Sequence, residues 1–332
     1  MKTPQNLLPD LATLSSSLTT VLSTNGHSGR PVTVLKRALP RFMSTFPNEI
    51  VTCLMPDGRK RRIFMKYGAG FGHESFGHRG DIPYEANVYR MILQQLSDFR
   101  PKYLGAYADY KTGGTWLILE YVYNAVRVSD LQYHYSVRQT RARLESSRWI
   151  GRFHCQLEPR LDDASLSFLN RYDAGYYRGW SSRMAEYSQP LHREYPWLPA
   201  LALSGDAWFE PLLSAPQTVI HGEYYMKTIL ARGKKLFMID WESAAKAPGE
   251  IDLASLIEGK QWMKPLARRC EEEYKKARYP DGPPDDFDRI LNAARMYLHF
   301  RWLGEKPEWA TRTKSLWRYK HLEVTARRMD LI

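Results

Sequence analysis

A chain of 332 residues that is 43% hydrophobic and 13% aromatic is long enough to bury one large core or two medium ones. Charges or prolines interrupt every apolar run before membrane-spanning length, and the three cysteines, Cys53, Cys155 and Cys270, are too scattered for a metal-ligand motif. A formal net charge of +12 points either to an anionic partner or substrate or to a solvated basic surface, because Arg and Lys are spread along the chain.

The first residues, MKTPQNLLPDLATL, lack the basic-then-apolar layout of a secretory signal, so the expectation is a reduced, cytoplasmic protein without a membrane partner. Leu7, Leu11, Leu14, Leu18 and Val21 recur at helical spacing and predict an amphipathic helix over residues 6–24, packed on the strands after it. Asn25-Gly26-His27-Ser28-Gly29 breaks it. Val32–Leu39 and Asn48–Met55 predict two strands, the second closed by the turn Pro56-Asp57-Gly58. Arg61–Tyr67 predicts a third, with Lys66 set in an alternating apolar run. The stretch Gly68–Gly80 reads as a loop. Its glycines precede more loop rather than a helix, which removes a dinucleotide fingerprint. Pro83–Leu96 predicts a helix with Val88, Ile92 and Leu96 on one face and Glu85 in its first turn, where an acid also suits the helix dipole. Tyr103–Asp109 and Thr115–Tyr123 complete a small sheet.

Beyond it, Ser136–Leu157 predicts a helix whose His154 reads as a packed structural histidine, and residues 165–213 are rich in Trp, Tyr and Arg. The most informative stretch is 218–256. The run Thr218-Val219-Ile220 enters the loop His221-Gly222-Glu223. A hairpin comes next, turning at Arg232-Gly233-Lys234-Lys235, and its second strand ends on Asp240. One carboxylate precedes the hairpin and another stands after it. Phosphoryl transfer from a nucleotide needs that arrangement: a base for the accepting hydroxyl and an acid to hold Mg²⁺ against the phosphates. Residues 264–329 predict three helices, Lys264–Arg278, one beginning at Asp285, and a strongly basic last one, Glu308–Met329.

His221-Gly222, Asp240-Trp241-Glu242 and Gly249-Glu250-Ile251-Asp252 resemble the aminoglycoside phosphotransferase and choline kinase group, whose loop runs H-G-D-x4-N and whose metal-binding Asp stands in a D-[WF]-[ED] context. The resemblance implies an α+β, two-lobed protein-kinase-like fold, with a small antiparallel β-sheet lobe and a larger, mainly helical lobe. It implies an N-terminal helical extension over 1–30, a nucleotide-binding lobe over 31–122, and a catalytic and acceptor-binding lobe over 123–332. The implied reaction uses ATP (or GTP) and Mg²⁺ to phosphorylate a hydroxyl of a small-molecule acceptor. Glu223 then stands where the family has its base Asp, and Asp240 where it has its metal-binding Asp. Thr228, in place of the family's Asn, and Glu242 are further metal candidates. Lys66, braced by Glu85, would hold the phosphates, and Glu120 and Val122 fall by position at the hinge that meets the adenine. Asp252 is expected to tie the loop down by accepting backbone hydrogen bonds. The family's phosphate loop would fall near Arg41–Thr45, which holds no glycine.

Glu for Asp and Thr for Asn leave a second reading open, a degenerate kinase fold that binds a nucleotide or a partner without turnover. The basic balance argues against a polycationic aminoglycoside as acceptor. No recognised motif supports a nucleic-acid partner, and the oligomeric state is not legible.

Overall fold

The computed structural model describes residues 8–23, 30–40, 46–68, 75–96, 98–109, 111, 113–131, 137–259 and 264–332. The expected phosphate loop, 41–45, and residues 69–74 of the Gly-rich loop after β3 lie outside them. The architecture is α+β, in two compact units: Met1–His73, Arg79–Ala125 and Ala231–Glu242 form the first, and Glu74–His78, Val126–Leu230 and Ser243–Ile332 the second.

The first unit is built on a five-stranded antiparallel sheet in the order β1-β2-β3-β5-β4, with β1 Thr33–Ala38, β2 Asn48–Leu54, β3 Lys60–Tyr67, β4 Tyr103–Asp109 and β5 Gly114–Glu120. Strand side chains alternate between faces. Val51 and Cys53 of β2, Ile63, Met65 and Tyr67 of β3, and Trp116 and Ile118 of β5 therefore share one face, and α1 (Leu11–Ser23) covers it with Leu14, Leu18 and Leu22. Asp10 starts α1 by accepting from the Thr13 N–H at 2.9 Å. Gly105 lets α1 approach β4: a Cβ there would stand 2.3 Å from a Val21 methyl. The same alternation turns Lys66 to the face opposite this core.

Helix α2 (Ile82–Met91) begins at Asp81, whose side chain accepts from the Tyr84 N–H, with Pro83 in its first turn. It is shorter than expected. Ile92 caps it, its N–H donating to the Val88 carbonyl, and Leu93–Gln95 tightens into a 3₁₀ turn that keeps Leu93 buried before the chain extends at Leu96.

The second unit contains β6 (Val126–Arg127), α3 (Val137–Leu157), β7 (Asn170–Arg171), α4 (Ala174–Tyr187), α5 (Leu198–Leu203), α6 (Glu210–Ser214) and β8 (Gln217–Ile220). The chain then runs through the hairpin of β9 (Ile229–Arg232) and β10 (Lys235–Met238), whose later part, from Ala231, belongs to the first unit. It continues with β11 (Ala245–Pro248), α7 (Glu250–Ile257), α8 (Lys264–Arg278), α9 (Phe287–Gly304), α10 (Pro307–Thr311) and α11 (Leu316–Arg328). β11 pairs antiparallel with β8 and parallel with β7. Helix α9 is buried on nearly every side, from Ile290 and Leu291 to Phe300 and Leu303, which makes it the axis of this unit. The aromatic segment supplies core: Tyr172, Tyr177, Trp180 and Trp208 are buried. The single basic helix expected over 308–329 is instead α10 and α11. Arg312 is extended (φ −68°, ψ 141°) and a 3₁₀ turn over Thr313–Ser315 intervenes, while the Tyr319 hydroxyl donates to the Ala310 carbonyl at 3.1 Å.

Candidate active site

In the first unit the site grows from β3, α2 and the turn after β10. Lys66, 3% exposed, donates to Glu85 Oε2 at 2.7 Å and to Asp240 Oδ1, with Glu242 Oε2 at 3.4 Å. Glu85 Oε1 in turn accepts from the Trp241 N–H at 3.1 Å, and the Glu242 carbonyl accepts from the Gly80 N–H at 2.7 Å. Arg79 Nε lies 3.5 Å from Glu242 Oε1. Asp240 holds the left-handed conformation at φ +71°, costly for a residue with a Cβ and common where a side chain must be aimed. Its side chain is 29% exposed, whereas Glu85 and Glu242 are buried.

Burial opposes the charge on Lys66, but Asp240, Glu85 and Glu242 outweigh it and hold the ammonium protonated well above the ordinary lysine range. Burial also raises Glu85, against the pull of Lys66. Burial and then the neighbouring Asp240 push Glu242 up to about 8. One oxygen or another of Glu85, Asp240 and Glu242 can be brought to a common centre, since these atoms lie within 4.8 Å of one another. A hard-oxygen set crowded with negative charge and opening to solvent through one aspartate fits a hard divalent cation. Glu120 and Val122 stand at the end of β5. The Glu120 N–H donates to the Lys102 carbonyl at 2.9 Å, and its side chain accepts from the Lys102 N–H at 3.3 Å.

In the second unit the loop after β8 is held from below. Asp252 accepts from the His221 N–H at 2.6 Å and the Gly222 N–H at 2.9 Å, and His154 Nε2 lies 3.2 Å from the same carboxylate. His154 is fully buried, and its other ring nitrogen meets the Tyr274 hydroxyl at 3.1 Å. Gly222 sits at φ +80°, where a Cβ would come within 2.1 Å of the Ser243 carbonyl oxygen, so only glycine passes this turn. Glu223, 4% exposed, has His78 Nε2 and Arg301 Nη1 each 3.5 Å from Oε1. Arg301 also donates to the Tyr225 hydroxyl at 2.7 Å, joined there by Trp302 Nε1 at 2.9 Å. The Thr228 hydroxyl points back along its own loop, donating to the Glu223 and Tyr225 carbonyls at 2.9 and 2.8 Å.

The structure thus gathers Lys66, Glu85, Asp240 and Glu242 in one unit and Glu223 with Thr228 in the other. Sequence reasoning missed His78, Arg301 and Tyr225. A charged residue inside the apolar run RMYLHFRWL of α9 was the available signal for Arg301, since arginine is buried only for a reason.

This order of elements, an antiparallel sheet followed by a mainly helical unit, is also that of solved choline kinases and aminoglycoside phosphotransferases. Solved structures that share it include a putative aminoglycoside phosphotransferase from Ralstonia eutropha (TM-score 0.63, 14% identity, covering 97% of this chain and 97% of that one). Choline kinase LicA from Streptococcus pneumoniae matches with a TM-score of 0.62 at 14% identity, over 96% of this chain and 98% of that one, and has also been solved in complex with AMP. The GDP complex of aminoglycoside 2'-phosphotransferase-IIIa matches with a TM-score of 0.63 at 12% identity, over 96% of this chain and 99% of that one. At these identities the likeness is one of fold. No protein-family model and no curated sequence matches the chain. Among the described residues no helix is long and apolar enough to cross a membrane.

Proposed function

We propose that this protein is a nucleotide- and Mg²⁺-dependent phosphotransferase that moves the γ-phosphoryl group of ATP (or GTP) to a hydroxyl of a small molecule. One observation carries the reading: a buried ammonium, Lys66, gathered with Glu85, Asp240 and Glu242, the last two flanking Trp241. The nucleotides in the AMP and GDP complexes of the structural neighbours support a nucleotide donor. Lys66, positioned by Glu85, binds phosphate oxygens, and Glu120 and Val122 meet the base. Asp240 is the metal ligand, with Glu242 and Thr228 as further oxygen ligands. Mg²⁺, when bound, neutralises charge on the transferring phosphoryl group. Glu223 orients the acceptor hydroxyl and takes its proton. The longer side chain sets its carboxylate about 1.5 Å further from the backbone than an aspartate would. His78 and Arg301 fix the direction in which that carboxylate points. The free thiols Cys53, Cys155 and Cys270 suit the cytoplasm, where the donor nucleotide is made.

The second reading is binding without turnover, and the observation that favours it is the Thr228 hydroxyl, which stands in place of the family's Asn and is oriented by donating to two loop carbonyls, with only its lone pairs left for a metal. Calorimetry with ATP and Mg²⁺ on wild type and Asp240→Ala separates the outcomes. Metal-dependent binding lost in the variant, together with phosphorylated product from a cognate acceptor, supports the enzyme. Binding without product from any hydroxyl acceptor favours the second reading, and no nucleotide binding at all ends the first reading and leaves the second as partner binding alone.

A further inference from the structure

The loop carrying Glu223 also forms one wall of a cavity of about 270 Å³ in the second unit, lined by Tyr225, Lys227, Trp302, Trp317 and Arg318 among others. Aromatic walls next to a kinase-type loop suit a cationic acceptor in principle, because ring faces attract cations. Here the protein's own cations already occupy those faces. The Arg318 guanidinium carbon lies 4.6 Å from the ring centroid of Trp302 and 4.6 Å from that of Trp317. Lys227 Nζ stands 5.2 Å from Tyr225 and 5.8 Å from Trp302, and Arg301 covers Trp302 at 5.1 Å.

Arg318 has no carboxylate partner among the described residues; its polar contact is His299 Nδ1 at 3.5 Å, and burial holds that ring neutral. Burial also pushes Arg318 itself down to about 10. The one acid on the cavity wall, Glu258, is committed elsewhere: its carboxylate lies 2.7 Å from His321 Nδ1, 3.4 Å from His299 Nε2 and 3.5 Å from Arg295 Nε. Arg318 is half-buried, and the acid that acts on it at a distance is the committed Glu258; an entering anion supplies the close counter-charge that Glu258 does not. The wall is tied to the candidate base, since Arg301 bridges the Tyr225 hydroxyl and Glu223.

We propose that this cavity receives an anionic group of the acceptor, a carboxylate or a phosphate, with Arg318 and Lys227 as its counter-ions. Resting on the phosphotransferase reading, this narrows the acceptor to acidic hydroxy compounds and removes choline-like and polyamine acceptors.

Calorimetry tests it with four probes matched in size: glycerate, glycerol 3-phosphate, glycerol and choline. Each is titrated into wild type, Arg318→Gln and Lys227→Gln, with ATP and Mg²⁺ titrated separately. The expected result is binding of glycerate or glycerol 3-phosphate alone, weakened on the order of 30-fold by Arg318→Gln. The exposed Lys227→Gln gives a smaller loss and keeps the test valid if the Arg318 variant fails to fold. Glycerate against glycerol 3-phosphate decides between the two anions. Choline or glycerol binding as well as the anions do, anion affinity unchanged in both variants, or no anion binding at all overturns the proposal. Anion binding intact with no nucleotide binding would sink the phosphotransferase reading and leave the anion site standing.

Discussion

Lys66 faces more negative charge than one ammonium offsets, and that imbalance governs what single substitutions do. Lys66→Ala leaves the buried Glu85 without the cation it pairs with. The expected loss of stability is about 3–5 kcal/mol, read by chemical denaturation near neutral pH. An unchanged unfolding midpoint would mean that the carboxylate finds another partner. Glu242 adds a pH signature. Its ordinary value is 4.5 and the folded protein raises it to about 8, so between those values the native state holds a proton that the unfolded chain has released. Stability therefore falls as pH climbs through this window, and the penalty is complete above about 8. Glu242→Gln lacks the titration, so the wild-type stability minus that of the variant should decline between about pH 5 and 9 in paired denaturation curves. A constant difference would place the charge of Glu242 in a better-compensated setting.

Among the elements, the loop between β8 and β9 is fixed at both ends, by Asp252 beneath His221 and Gly222 and by the Thr228 hydroxyl at its close. Thr228→Val keeps the shape and removes the donor to two carbonyls. A destabilisation of about 1–3 kcal/mol is expected, with a faster-exchanging amide at Tyr225 by hydrogen exchange. Protection as in wild type would show that the hydroxyl is dispensable to the loop and free for a ligand. Most of this element was legible in the sequence, because β-branched runs, a positive-φ glycine and an acid after an apolar strand are local signals. Lys66 and Glu85 were legible through alternation in β3 and position in α2. Arg301 and His78 were not. Nothing local marks which distant carboxylate a buried cation will meet, and Glu223 gathers them from either side of the chain. The last helix failed for a related reason. The chain is extended at Arg312, and the Tyr319 hydroxyl donates across the break to the Ala310 carbonyl, a contact between residues nine apart that no local pattern announces.

For the whole molecule, the excess of 48 basic over 36 acidic residues is the property a sequence reader notices first, and the structure divides it into parts with different consequences. Arg318, in the strongly basic last stretch of the chain, packs against two indoles. Arg301 is buried in α9, and Arg327 is paired with Glu323 at 2.9 Å. Among the described residues, Arg268, Arg295, Lys320 and Arg328 share one surface cavity of the second unit, and they share it with Glu258 and Glu271. Duplex DNA should therefore bind only through diffuse attraction: detectable at low ionic strength, indifferent to sequence, and absent at physiological salt, as fluorescence anisotropy across a salt series would show. Tight binding that survives physiological salt would instead require a built phosphate-contacting surface, and would return the charge excess to a nucleic-acid role rather than to the acceptor cavity.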